Sequence, residues 1–269
     1  MKTRFRLLTL AVGWGCLLVL VASALGENAV KPVWCTWDVA GVKREALVYG
    51  MTNAKEEPRP LVIVFHGHGG SMQTAAQAFR VHELWPEAVV IYPQGLLTAG
   101  RLVDQEGRLP GWQMDAGDHG DRDLLFFDAI LERFQREGRV NPKQIFVAGH
   151  SNGGAFIYLL WANRSGRIAA YASSAAAWLG PYAGLKPGKL LMFSGEKDDL
   201  VKFAWQRRTF DNLLRFFDCN AAKRDNDGCL VADSKSGAHI AAYVHAGGHQ
   251  FPSAAPQLIV KFFKASIQP

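Results

Sequence analysis

The chain has 269 residues, 49% of them apolar, 11% aromatic and 20% charged, proportions that exclude a disordered, fibrous or low-complexity protein. The formal net charge is +6, but Lys2, Arg4 and Arg6 supply three of those charges, and without residues 1–26 the balance falls to +3. No Lys/Arg-rich run with interleaved aromatic residues lies beyond them, which argues against nucleic acid as a partner.

Taken in chain order, the first predicted element is an export signal. The three cations precede an uncharged run from Leu7 to Leu25, and Ala22-Ser23-Ala24 and Ala24-Leu25-Gly26 offer small-x-small cleavage sites. This pattern predicts cleavage after Ala24 or Gly26 and a secreted or periplasmic protein, in preference to a retained N-terminal anchor. Contact with a membrane is expected only if that segment is retained.

Over residues 27–269 the pattern is that of a single domain. "WCTWDVAGVKREALVY" has two β-rich runs around Ala40-Gly41 and predicts an N-terminal antiparallel hairpin. Five apolar runs follow, at 61–67, 88–95, 145–151, 168–176 and 189–198, each ending near Gly, Ser or Asp. Continuous apolarity marks strands buried on both faces, hence parallel strands in the middle of a sheet. Helices are predicted at about 71–81, 121–138, 153–163, 203–217 and 254–265; in the second, Leu124, Phe127, Ile130, Leu131 and Phe134 form one apolar stripe. The fold class is therefore α/β, a mostly parallel central sheet with helices on both faces.

Cys35, Cys219 and Cys229 lie beyond the signal, and the polar segment between the last two suggests a loop closed by a Cys219–Cys229 disulfide in an exported protein. No CxxC or HExxH spacing calls for a metal, and no cofactor is expected. The acidic residues Asp115, Asp118, Asp121 and Asp123 do not match the spacing of a calcium loop, and read as a solvated loop leading into a helix cap.

The segment that carries chemistry is "VAGHSNGG". Ser151 has Gly149 and Gly153 two places to either side, follows a β-rich run and opens a helical segment. That is the strand–turn–helix setting of a nucleophile elbow, in which side chains flanking the serine would collide with the adjoining strand and helix. A serine hydroxyl needs a base and a group that orients it, and on such a sheet acid and base follow the serine in that order. Three histidines follow. His239 and His245 belong to "AHIAAYVHAG", read as an edge strand, whereas His249 sits in the glycine-rich loop "HAGGHQFP" and is the candidate base. For the acid, "FSGEKDDLV" offers Asp198 or Asp199, with Glu196 more remote. The turn "FHGHGG" is free of bulk, so the backbone N–H near His68 and that of Asn152 are candidate oxyanion donors.

These stretches, with "GDRDLLFFDAILERF", "VNPKQIFVAGHSNGG", "SGEKDDLV" and "GGHQFP", resemble the secreted polyhydroxybutyrate depolymerase and feruloyl esterase group of the α/β-hydrolase superfamily over residues 60 to 265. The resemblance implies a serine esterase acting on small or polymeric esters, with Ser151 as nucleophile and His249 as base. It also selects Asp198 as the acid, through the turn Gly195-Glu196-Lys197-Asp198. The turn after the first central strand carries His68 where many members of the group have cysteine. Trp112, Trp178 and Trp205, in loops at strand ends or just beyond them, are candidates for a flat substrate wall. Two other readings are a serine peptidase of the same fold and a non-catalytic exported binding protein. Parallel rates on esters and amides separate the first, and fluorophosphonate labelling of Ser151 the second.

Overall fold

The computed structural model describes residues 31–51 and 57–267. The expected signal segment lies outside the described residues. In chain order the elements are β1 (Val33–Val39), β2 (Val42–Tyr49), β3 (Arg59–Phe65), α1 (Met72–Phe79), α2 (Val81–Leu84), β4 (Val89–Pro93), β5 (Leu96–Leu97), β6 (Pro110–Gly111), α3 (Arg122–Arg136) and β7 (Val140–His150). They continue with α4 (Asn152–Arg164), β8 (Ala170–Ser174), β9 (Lys189–Gly195), α5 (Phe203–Phe216), β10 (Lys223–Arg224), β11 (Leu230–Asp233), β12 (His239–His245) and α6 (Ala255–Ala265).

Ten strands form one sheet in the order β1-β2-β4-β3-β7-β8-β9-β12-β11-β10, parallel from β4 to β12 and antiparallel at both margins. The hairpin expected at the N-terminus is β1–β2. Ala40 and Gly41 both take positive φ at its two-residue turn, the conformation that lets a tight turn follow the twist of its strands, and the Gly41 N–H donates to the Asp38 carboxylate at 2.9 Å.

Successive residues along the inner strands pack into different cores. Leu61, Ile63 and Phe65 join α3, α4 and α5 on one face, while Val62 and Val64 join α1, α2 and α6 on the other. That alternation explains the continuous apolar runs, since both sides of each strand are covered. The five residues of the predicted α3 stripe are all buried.

Three expectations fail here. The "AHIAAYVHAG" strand is not an edge, because β11 and then β10 pair beyond it. The segment between Cys219 and Cys229 is not a disulfide-closed loop either. It contains β10, paired to β11, and its turn is fastened by the Asp225 carboxylate, which accepts from the N–H groups of Asp227 and Cys229. All three described thiols are free. Cys229 is buried in the α6-side core, while Cys219 packs against the core on the opposite face, so the sheet itself separates the two sulfurs. Finally, the acidic segment is only partly solvated. Asp118 and Asp121 accept from backbone N–H groups of their own loop, but Asp123 is fully buried and pairs with Arg44 at 2.8 Å.

Candidate active site

Four elements of the parallel region, β3, β7, β9 and β12, end at the same edge of the sheet, and the segments that leave them carry His68, Ser151 with Asn152, Asp198 and His249 in turn. Ligands of open α/β sheets bind at this edge. Ser151 stands between β7 and α4 with φ 55° and ψ −119°, a conformation rare for a residue with a side chain. Its N–H donates to the Ser174 carbonyl at 2.8 Å. The turn is this sharp because the flanking glycines allow it: a Cβ on Gly149 would overlap the Gly153 carbonyl, and one on Gly153 the carbonyls of Phe65 and His66.

Asp198 is buried at the end of β9, while Glu196 and Asp199 are exposed. Its Oδ1 accepts from the N–H groups of Leu200 and Val201 at 3.0 and 2.9 Å, and its Oδ2 from Gln206 Nε2 at 2.9 Å. His249 Nδ1 lies 2.9 Å from the same Oδ2, and His249 Nε2 lies 2.8 Å from Ser151 Oγ. An ionised carboxylate only accepts, so Nδ1 carries the imidazole proton and Nε2 is left to accept from the serine hydroxyl. The His249 loop is fastened to the acid turn by main-chain bonds from Glu196 N–H to the His245 carbonyl and from Lys197 N–H to the Gly247 carbonyl, both 2.9 Å. The ring nitrogens of the other two histidines bond elsewhere: His239 to Asp233 at 2.6 Å, and His245 to the Gly247 N–H at 3.2 Å.

A cavity of about 340 Å³ opens beside Ser151, and His68, Asn152 and Trp205 all border it. Asn152 begins α4, where backbone N–H groups have no partner within the helix. In the His68 turn, the N–H groups of Gly69 and Gly70 are engaged by Pro110 and Gly67. Neither the His68 nor the Asn152 N–H has an acceptor among the described residues. The His68 imidazole bonds Asp104 through Nε2 at 2.9 Å, which holds the loop between β5 and β6 over the turn.

Trp112 does not form part of a substrate wall. It is wholly buried, donates from its indole to the His66 carbonyl at 2.9 Å, and packs between Phe65 and Phe156. Its backbone is clamped by Asn152, whose Oδ1 accepts from Trp112 N–H at 2.7 Å and whose Nδ2 donates to the Trp112 carbonyl at 3.0 Å. Trp178 is half-buried against the α3–α5 core and does not border the cavity. Of the three indoles only Trp205 does.

Two further residues support the site. His66, at the start of the turn that carries His68, accepts the Gly95 N–H at Nε2 and so donates from Nδ1 to the Gly67 carbonyl. Burial pushes its pKa down to about 4, so the ring is neutral at pH 7. Gln206 was foreseeable from sequence as an amide on the stripe it shares with Phe210 and Leu213 of α5. Leu102 and Val103, which also border the cavity, come from a loop without periodicity and left no such signal. Among the described residues no group of His, Cys, Asp and Glu has the arrangement of a metal site.

No family model matches the chain. A curated protein of Nocardia uniformis subsp. tsuyamanensis, "Putative esterase NocK", is 27% identical over 185 residues, which are 62% of this chain and 51% of that protein. The chain thus spans about half the length of the curated relative it matches. Among solved structures, a ferulic acid esterase is 16% identical with a TM-score of 0.60 over 87% of this chain and 97% of that one. A carboxylesterase from Mesorhizobium loti is 14% identical with a TM-score of 0.60 over 87% and 99%. At such identities the likeness establishes architecture, and the architecture is the α/β-hydrolase fold.

Proposed function

We propose that the chain is a serine carboxylic-ester hydrolase. The observation that carries this reading is the continuous hydrogen-bonded line from buried Asp198 through His249 to Ser151 at a strained turn beside an apolar cavity. In this reading the Ser151 hydroxyl gives its proton to His249 Nε2 as Oγ bonds to the ester carbonyl carbon. The N–H groups of His68 and Asn152 receive the oxyanion. The tetrahedral adduct collapses by breaking the bond to the alkoxy oxygen, which takes the proton from His249 and leaves as alcohol. Water then attacks the acyl carbon with His249 again as base, the bond to Oγ breaks, and the carboxylic acid departs while Ser151 regains its proton. Every proton moved passes between Ser151, His249, the ester and the attacking water.

Within the ester hydrolases, the motifs around Ser151, Asp198 and His249 favour a member like the polyhydroxybutyrate depolymerases and feruloyl esterases. Trp205 supports an acyl or alcohol group with a flat face. The basic, then uncharged, residues 1–26 favour an exported protein whose catalytic domain is residues 27–269.

The experiment is hydrolysis of a short soluble aryl ester by the protein and by Ser151→Ala, with fluorophosphonate labelling alongside. Loss of the nucleophile lowers the rate on the order of 10⁶-fold in a well-studied serine protease, and a loss of several orders of magnitude is expected here. Equal turnover by both proteins would leave Ser151 as a turn residue only.

A further inference from the structure

The cavity beside Ser151 has a mostly apolar wall, contributed in part by Leu102, Val103, Leu179 and Trp205. Two cations also border it, Arg101 and Arg208, and no carboxylate among the described residues does. The two guanidiniums differ in what they already hold. Arg101 is paired with Asp115. Arg208 has no ion-pair or hydrogen-bond partner among the described residues, although its neighbours on α5 do: Arg207 pairs with Asp211 at 2.9 Å, and Arg215 bonds Asn212 at 2.5 Å. Arg208 lies three residues after Trp205 on the same helix, so the indole and the guanidinium share one side of α5. A guanidinium presents parallel N–H donors matched to the two oxygens of a carboxylate.

We infer that the esters hydrolysed at this site carry a second, free carboxylate, which Arg208 holds while the scissile carbonyl lies at Ser151 and the intervening carbons lie against Trp205. This inference rests on the ester-hydrolase reading of Ser151 and narrows it to anionic esters. The second carboxylate is recognised and not transformed. Its contact is the same before and during bond breaking, so it strengthens substrate binding and acts on KM.

The carboxylate can belong to either half of the ester, and two matched pairs of substrates separate the cases. For the acyl half, 4-nitrophenyl hemiglutarate is compared with the corresponding glutaramate. For the alcohol half, the butyrate ester of 4-hydroxybenzoate is compared with that of 4-hydroxybenzamide. Within each pair the members differ in charge and little in shape. In at least one pair the carboxylate is expected to have a KM about fivefold below its amide, the scale of one exposed charge pair. That ratio falls to about one in Arg208→Gln, inverts in Arg208→Glu and is partly kept in Arg208→Lys.

Calorimetric binding of the same pairs to Ser151→Ala, and to Ser151→Ala with Arg208→Gln, gives the same comparison without turnover. If no ester is hydrolysed by the wild type, the ester-hydrolase reading fails, while the binding ratio still reports on Arg208. Equal affinity for anion and amide in both pairs, or a preference that survives Arg208→Gln, would overturn the inference.

Discussion

Replacing Asp198 by asparagine separates the orienting role of this side chain from its contribution to stability. The carboxylate has four N–H donors around it: two backbone groups, Leu200 and Val201, at Oδ1, and Gln206 and His249 at Oδ2. The two backbone donors cannot turn away, so the carbonyl oxygen of the new amide must take the Oδ1 position. Its NH2 group then faces Gln206 and His249 as a donor against donors. Gln206 cannot relieve its share by flipping without losing the bond that its Nε2 donates to the Val201 carbonyl at 2.6 Å, even though its Oε1 is buried without a partner. His249 can do so only by moving its proton from Nδ1 to Nε2, where it points at Ser151 and can no longer accept from the hydroxyl. The cost to folding is thus at least that of one charge-assisted hydrogen bond, about 1.5–3 kcal/mol. The cost to catalysis is larger, since the same exchange in a trypsin-type triad lowers kcat by about 10⁴, or about 5 kcal/mol of barrier. Aryl-ester hydrolysis at pH 7 measured beside urea unfolding reads both quantities. A folded Asp198→Asn protein that loses less than tenfold in kcat would refute the tautomer reasoning.

His66 should make stability depend on pH. Its pKa is near 4 in the folded chain against an ordinary 6.5, so below pH 6.5 the unfolded chain binds the proton more readily and stability is lost as pH falls towards 4. Protonation would also turn Nε2 against the Gly95 N–H that it accepts. Unfolding free energies at pH 7 and pH 4 should therefore show the advantage of the wild type over His66→Asn shrinking by about 3 kcal/mol; a difference independent of pH would dismiss this account. Cys35, Cys219 and Cys229, all free, should each react with a thiol reagent in denaturant without prior reduction, and a reductant should leave the melting temperature unchanged. Recovery of a Cys219–Cys229 cross-linked peptide would reinstate the bridge.

Much of this molecule can be read along the chain because its central strands are covered on both faces and its helices on one. The runs at 61–67 and 189–198 and the α3 stripe announce themselves by periodicity alone. The elbow is legible from its two glycines around a serine at a strand–helix junction, although only Gly149 is constrained locally, by Gly153, while Gly153 is constrained by Phe65 and His66 at the end of β3. What sequence hid depends on distant partners or on marginal position. Trp112 lies in a glycine-rich loop and reads as part of a substrate wall, yet its burial is fixed by Asn152 and His66, 40 and 46 residues away along the chain. Asp123 reads as solvated and is buried by Arg44, 79 residues earlier. Strand β10 is two exposed cations at the sheet margin, and so has no apolar pattern by which to be recognised. Missing β11, which pairs directly with β12, made β12 look like an edge, and missing β10 made the cysteines to either side of it look like the ends of a loop.

The bonds between the acid turn and the histidine loop have a mechanical consequence. Gly195 lies so close to Gly247 and Gly248 that no side chain fits between them, and two main-chain bonds join the segments. Asp198 and His249 are therefore expected to move together, whereas Ser151 is held by the β7–α4 corner and joined to them within the sheet only through β8. The triad has a single seam, at the contact between His249 Nε2 and Ser151 Oγ. Partial loosening by heat or denaturant should open that seam first, silencing the nucleophile while acid and base remain in register, so activity should disappear before the bulk of the sheet melts.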